Sequence, residues 1–213
     1  AFSTGGFANV HEVHKWTLGF TDANEVKKYS DMAARISDTL DFMEAAGLTT
    51  ETNHELQTVD FYTSHEALLL GYEQSMTRVD SLSDRWYDTS AHMLWLGERT
   101  RQLDGAHVDF AARIQNPIGV KIGPTADPAD VVELVEKLDL DWVPGRLTLI
   151  TRMGAGQVRE RLPDIVAKVA ETGHPVVWVC DPMHGNTRTA ASGHKTRSFT
   201  DVMDEVAAFF EVH

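Results

Sequence analysis

The sequence has 213 residues, 42% of them hydrophobic and 24% charged, which is enough to bury a sizeable core and too apolar for a disordered chain. Its 32 acidic residues against 19 Lys and Arg give a formal charge of −13, which argues against a nucleic-acid-coating surface and against a polybasic membrane anchor. The one cysteine, Cys180, rules out an internal disulfide and fits a reducing, cytoplasmic setting, and no run of about 18 apolar residues predicts a membrane span.

Ala1–Gly6 carry neither the basic nor the apolar region of a leader peptide, and the missing initiator methionine fits a piece of something longer. The first third reads as helices. Phe7–Trp16 is one; Asn24–Ala46 is a second, with Val26, Tyr29, Met32, Ile36, Leu40 and Met43 at three- and four-residue steps and Gly47 as its stop. A third is expected over Val59–Val79, with Phe61, His65, Leu68, Leu69, Tyr72 and Met76 on one side. Then the period changes. Ala91–Leu96, Ile118–Ile122, Leu147–Thr151 and Val176–Cys180 read as short apolar strands, with helical stretches at Asp130–Leu138, Gln157–Glu171 and Thr200–Val212. Pro163 lacks an N–H and predicts a split of its helix near Leu162. Strands alternating with helices imply an α/β fold with parallel strands and right-handed crossovers. No low-complexity tract or linker marks a boundary, so the chain reads as a single domain, residues 1–80 a helical extension and residues 81–213 the strand–helix repeats.

The strand ends carry the chemistry. Glu98 and Arg99 follow Leu96, Lys121 interrupts the apolar Ile118–Ile122, Arg152 follows Thr151, and Asp181 and His184 follow Cys180. In a barrel these ends converge on one face, so Arg99, Lys121, Arg152 and His184 are expected around one volume. Arg and Lys there suit phosphate and carboxylate, and a neutral His suits a divalent metal. Each also has a plainer reading. Charges near strand ends are often solvated or salt-bridged, but a lysine inside an apolar strand needs an anionic partner.

Other candidates are weaker. Cys180 and His184 alone do not make a zinc site, and Cys180 reads as strand core. His11 with His14, and His65 with Glu66, do not have the HExxH spacing and read as helical surface or packing residues. The turns at Gly145-Arg146 and Gly154-Ala155-Gly156 match neither a dinucleotide fingerprint nor a P-loop.

Four segments, Phe61–Leu68, Gly97–His107, Pro144–Gly154 and Cys180–Thr187, together with Lys195-Thr196-Arg197, resemble in order and spacing the class II (plant-type) 3-deoxy-D-arabino-heptulosonate 7-phosphate (DAHP) synthases. The resemblance runs over essentially the whole chain. It implies part of a (β/α)8 TIM barrel, about strands 3 to 6, preceded by a helical insertion. It also implies condensation of phosphoenolpyruvate with D-erythrose 4-phosphate, the first step of the shikimate pathway to aromatic compounds. Carried over residue by residue, Glu98, Arg99, Lys121 and Arg152 bind phosphoenolpyruvate, with Arg99 also near the aldose phosphate, and His184 is a metal ligand. Lys121 is further expected to donate a proton to the aldehyde oxygen, since burial among cations eases release of its proton. The metal of the resembled family is manganese or cobalt, and a homo-oligomer and a chorismate mutase partner are further expectations. The family's other metal ligands, a Cys, a Glu and an Asp, fall outside the matching stretch. The chain is therefore expected to be the central portion of such an enzyme and inactive alone, its open strand edges completed by the missing segments. The alternative is a non-catalytic binding or regulatory module of the same ancestry, keeping an anion pocket at Arg99, Lys121 and Arg152 and using its early helices for assembly or effector binding.

Overall fold

The computed structural model describes residues 23–49, 52 and 61–213. The chain divides into two compact units, Ala1–Phe61 and Tyr62–His213. In the first unit, helix α1 spans Ala23–Ala45, close to its expected bounds. It stops at Gly47, whose φ of +85° is the left-handed turn that glycine adopts without a Cβ penalty. The Gly47 N–H donates to the Glu44 carbonyl and the Leu48 N–H to that of Met43, closing the helix end. The expected helix at Phe7–Trp16 lies outside the described residues.

The second unit begins with strand β1 (Ser64–Glu66), helix α2 (Leu70–Met76) and a hairpin of β2 (Thr77–Val79) and β3 (Trp86–Asp88). This corrects the expected helix over Val59–Val79 within its described part. Leu68, Leu69 and Tyr72, part of its apolar stripe, are 48%, 69% and 52% exposed, so the periodic face has little to bury against. The backbone of residues 64–67 instead pairs with the next strand: Ser64, His65 and Glu66 lie opposite Met93, Leu94 and Trp95, and the Ala67 N–H donates to the Trp95 carbonyl. Tertiary pairing overrides local period here.

The remaining elements alternate as expected: β4 (Met93–Leu96), α3 (Ala106–Arg113), β5 (Ile118–Ile122), α4 (Pro128–Leu138), β6 (Leu147–Thr151), α5 (Val158–Thr172), β7 (Val177–Cys180), a small hairpin of β8 (Arg188–Thr189) and β9 (Lys195–Thr196), and α6 (Phe199–Val212). α3 and both hairpins were not anticipated. The five parallel strands run in the order β1-β4-β5-β6-β7. This is part of a TIM barrel, open between β1 and β7, with one strand more than the four read from the sequence.

Alternation along the strands separates two faces. Leu94, Leu96, Ile118, Val120, Ile122, Leu147 and Leu149 are at most 1% exposed and form one core with Val108, Leu134, Leu138, Leu162, Ile165 and Phe209 of the helices. Truncating such a side chain costs about 2–5 kcal/mol. Residues on the other face sit side by side by register: Glu66, Trp95 and Gly119 in one row, Lys121, Ile150 and Val179 in the next. That face would line the barrel interior.

α5 is continuous through Pro163, which corrects the expected split near Leu162. The ring removes one backbone bond, while Val158, Leu162, Ile165 and Val169, each at most 1% exposed, hold the segments on both sides of it against the sheet. α4 starts on Asp127, whose carboxylate accepts from the Ala129 N–H at 2.9 Å, and Pro128 occupies its first turn. α6 starts on Ser198, which accepts from the Asp201 N–H.

Candidate active site

A cavity of about 300 Å³ opens at the C-terminal ends of the sheet strands, lined by Glu66, Trp95, Gly97, Glu98, Arg99, Lys121, Arg152 and His184. Its volume is at the small-metabolite end of ligand sites. The five residues singled out in the sequence, Glu98, Arg99, Lys121, Arg152 and His184, therefore share one wall system. The strands explain how. Glu98 and Arg99 sit just past β4, Lys121 on the interior face of β5, Arg152 directly after β6 and His184 in the turn after β7.

Asp181 organises one side. Its Oδ2 accepts from Lys121 Nζ at 2.5 Å and lies 2.6 Å from His184 Nδ1, and its Oδ1 accepts from the Met183 N–H. The Lys121 and Asp181 side chains are 17% and 11% exposed, while that of His184 is 61% exposed. Burial pushes the Asp181 carboxyl up, but the hydrogen bond and charge of Lys121, followed by His184, outweigh it and hold the group below its ordinary range. A hydrogen bond at Nδ1 leaves His184 Nε2 directed away from Asp181. Lys121 Nζ also lies 5.9 Å from the centre of the Trp95 ring, within range of a cation–π contact.

The two arginines differ from Lys121. Arg152 Nη2 donates to the His184 carbonyl at 3.2 Å, and neither Arg152 nor Arg99 has a carboxylate partner among the described residues. They are the uncompensated cations of the cavity. Glu98 Oε1 accepts from Arg101 Nη2 at 2.9 Å, while Glu98 Oε2 is buried without a hydrogen-bond partner. Gly123 makes room for this arrangement: a Cβ there would lie 2.9 Å from Glu98 Cδ and 3.0 Å from Arg152 Nη1.

Three lining residues, Glu66, Trp95 and Gly97, are not among the site residues expected from the sequence. Glu66, expected as a helical surface or packing residue, instead closes β1 and faces the cavity beside Trp95. Its signal was a strand of Ser-His-Glu, too short and polar to carry an apolar pattern. His65, its neighbour, points elsewhere: Nε2 meets buried Glu73 at 2.8 Å, and Ser90 Oγ donates to the same carboxylate. Cys180 stays out of the site. Burial first, then the charges of Glu205 and Asp181, push its thiol up to about 12, the behaviour of an inert structural cysteine.

Among the described residues no three His, Cys, Asp or Glu side chains are grouped to hold a metal ion. His184 offers a single imidazole donor, which suits a divalent transition metal but needs further ligands. No described helix is long and apolar enough to cross a membrane.

The whole chain, residues 1–213, matches the Class-II DAHP synthetase family. It is similar to the phospho-2-dehydro-3-deoxyheptonate aldolase of Streptomyces coelicolor, with 52% identity over 214 residues, covering 100% of this chain and 47% of that protein. It is also similar to the phospho-2-dehydro-3-deoxyheptonate aldolase of Mycolicibacterium smegmatis, with 50% identity over 219 residues and coverage of 100% and 47%. The chain thus spans about half the length of the curated relatives it matches. With the match running from the first residue to the last, the chain belongs to the class-II DAHP synthetase family.

Proposed function

We propose that this chain is the central portion of a plant-type class II DAHP synthase, and that the protein containing it joins phosphoenolpyruvate to D-erythrose 4-phosphate with release of phosphate. The observation that carries this reading is the pair Arg99 and Arg152, two guanidiniums without carboxylate partners among the described residues, facing one small cavity with Lys121 and His184. Forked donors suit the phosphate and carboxylate of phosphoenolpyruvate, and the family resemblance implies that Arg99 serves the aldose phosphate as well.

C3 of phosphoenolpyruvate bonds to the aldehyde carbon, and the aldehyde oxygen takes a proton from the Lys121 ammonium. Water then adds at C2, and phosphate leaves with cleavage of its C–O bond to give the ketone. Asp181 keeps the lysine aimed and offsets the cost of its burial. Glu98, which lines the cavity and is anchored by Arg101 through one oxygen, would accept a proton from the water that adds. His184 would supply one donor to a manganese or cobalt ion completed by ligands from beyond this stretch, and such an ion polarises an aldehyde oxygen. A cytoplasmic, homo-oligomeric enzyme working beside a chorismate mutase belongs to the same proposal, with the single cysteine as support for the compartment.

The test is the protein containing this stretch, assayed for release of inorganic phosphate that requires both substrates. The expected result is turnover that is abolished by His184→Ala, and roughly ten- to a hundredfold weaker phosphoenolpyruvate binding in Arg152→Ala. Metal-dependent turnover that survives His184→Ala at the normal rate would overturn the assignment of that residue. Phosphoenolpyruvate binding without turnover would favour the non-catalytic module.

A further inference from the structure

The loop after β6, which carries Arg152, and the loop after β7, which carries His184, touch backbone to backbone. A Cβ on Gly185 would lie 2.9 Å from Gly154 Cα and 3.0 Å from the Arg152 carbonyl, and one on Gly154 would lie 2.9 Å from the Gly185 carbonyl oxygen. Side chains are excluded from this seam, so something behind it must hold it shut.

That support is an amide and a carboxylate. The Asn186 Nδ2 donates to Glu205 Oε2 at 2.6 Å and to the Pro182 carbonyl at 2.8 Å, while its Oδ1 accepts from the Ala155 N–H at 2.9 Å. One side chain therefore joins its own loop, the neighbouring loop and helix α6. Glu205 is 0% exposed and its Oε1 has no hydrogen-bond partner. A buried carboxylate with an idle oxygen is costly for a fold, and apolar packing would be cheaper. Burial pushes this carboxyl up. The side chain that donates to it, Asn186, belongs to the seam itself.

We propose that Asn186 and Glu205 are positioning residues, holding the two loops together so that Arg152 and His184 keep the separation the cavity needs. This rests on the proposed synthase reading. The Arg152 Nη2 contact to the His184 carbonyl at 3.2 Å is what the brace preserves, although neither Asn186 nor Glu205 lines the cavity. Small displacements of a binding group are expensive, because hydrogen bonds to a phosphate or carboxylate depend on direction as well as distance.

The experiment uses the protein containing this stretch, with phosphoenolpyruvate binding by calorimetry, steady-state kinetics and the thermal unfolding midpoint. Asn186→Asp keeps the side-chain volume and the Ala155 bond but sets a carboxylate against Glu205. The expected result is phosphoenolpyruvate affinity lowered roughly ten- to a hundredfold in a protein still folded at the assay temperature. Combining Asn186→Asp with Glu205→Gln reverses donor and acceptor across the same gap and is expected to recover part of that affinity, the bond to the Pro182 carbonyl staying lost. Arg159→Ala removes the ion pairs to Asp204 and Glu211 on either side of Glu205 and leaves the brace untouched, so its affinity should equal that of the parent. Should Asn186→Asp fail to fold, Glu205→Ala, which removes the acceptor that Asn186 Nδ2 uses, carries the expectation of weakened binding. Parental affinity in the folded Asn186→Asp protein, no recovery in the double variant, or an equal loss in Arg159→Ala would overturn the proposal. A parent protein that binds phosphoenolpyruvate but makes no product would instead overturn the synthase reading and leave the brace standing.

Discussion

The Lys121 ammonium and the Asp181 carboxylate, sixty positions apart in the chain, meet at 2.5 Å across the mouth of the sheet. The lysine comes from β5 and the aspartate from the loop after β7, with β6 between them. Lys121 is therefore already neutralised by the protein, unlike Arg99 and Arg152. Within a cavity lined by three cations, charge available to an anionic ligand lies mainly on the two arginines.

Arg152→Ala is accordingly expected to weaken phosphoenolpyruvate binding more than Lys121→Ala. Losing a charge-assisted contact costs about 1.5–3 kcal/mol, whereas Lys121→Ala also frees Asp181 and so mixes lost attraction with a new buried anion. Lys121→Ala should instead show its larger loss in kcat, as a proton donor would. Calorimetry beside steady-state kinetics separates the two effects, and a larger affinity loss in Lys121→Ala would reverse the ranking.

Glu205 gives a pH dependence of the opposite sense to a salt-bridged carboxylate. Burial raises its folded-state value above the ordinary 4.5, so the folded protein holds this proton more tightly than the unfolded chain does. Its contribution to stability is fully present below the unfolded value and is lost as the pH rises through the raised folded value. Glu205→Gln cannot ionise and should lose less stability than the parent as pH rises from about 4 to 7. Urea midpoints across that range test this, and parallel curves for the two proteins would refute it.

Much of the site was legible because a strand advertises its exceptions. Lys121 stands out as the one charge in Ile118–Ile122, and Arg152 and His184 follow apolar runs whose ends converge once the strands are parallel. The pairings that complete the site were not legible. Nothing local couples Asp181 to Lys121, or Asn186 to Glu205, because those contacts follow from β5, β6, β7 and α6 lying side by side. β1 was hidden for a related reason. Its three residues contain no apolar side chain, and its ladder with β4 is a tertiary interaction that outweighs the helical spacing of Leu68, Leu69 and Tyr72. α3 was missed because Val108 and Ala111 are its buried apolar residues, too few for a visible stripe.

Two glycines in the site should respond unequally to alanine. At Gly185 the added Cβ meets the backbone of Gly154 and Arg152, which cannot move without parting the two loops. At Gly123 it meets the ends of the Glu98 and Arg152 side chains, which can turn aside. Gly185→Ala is expected to cost about 1–3 kcal/mol, in the range of overpacking, with Gly123→Ala costing less stability while still weakening binding through Arg152. Chemical denaturation of both variants checks the order, and a harmless Gly185→Ala would mean the loops are not in the contact described.

Cys180 should be nearly inert to thiol reagents while the protein is folded. Its thiol is pushed up to about 12 from an ordinary value of 9.0, so at pH 8 the thiolate fraction falls on the order of a thousandfold relative to the free group. The cause is burial against the core side of β7, reinforced by the nearby carboxylates of Glu205 and Asp181. Reaction with an aromatic disulfide reagent at pH 8 should therefore be slow in buffer and fast in denaturant. Because Glu205 is the larger of the two charge contributions, Glu205→Gln should speed the folded-state reaction more than Asp181→Asn does. Rapid modification of the folded parent would show that the thiol is neither buried nor electrostatically suppressed, and would detach it from the carboxylates that support the site.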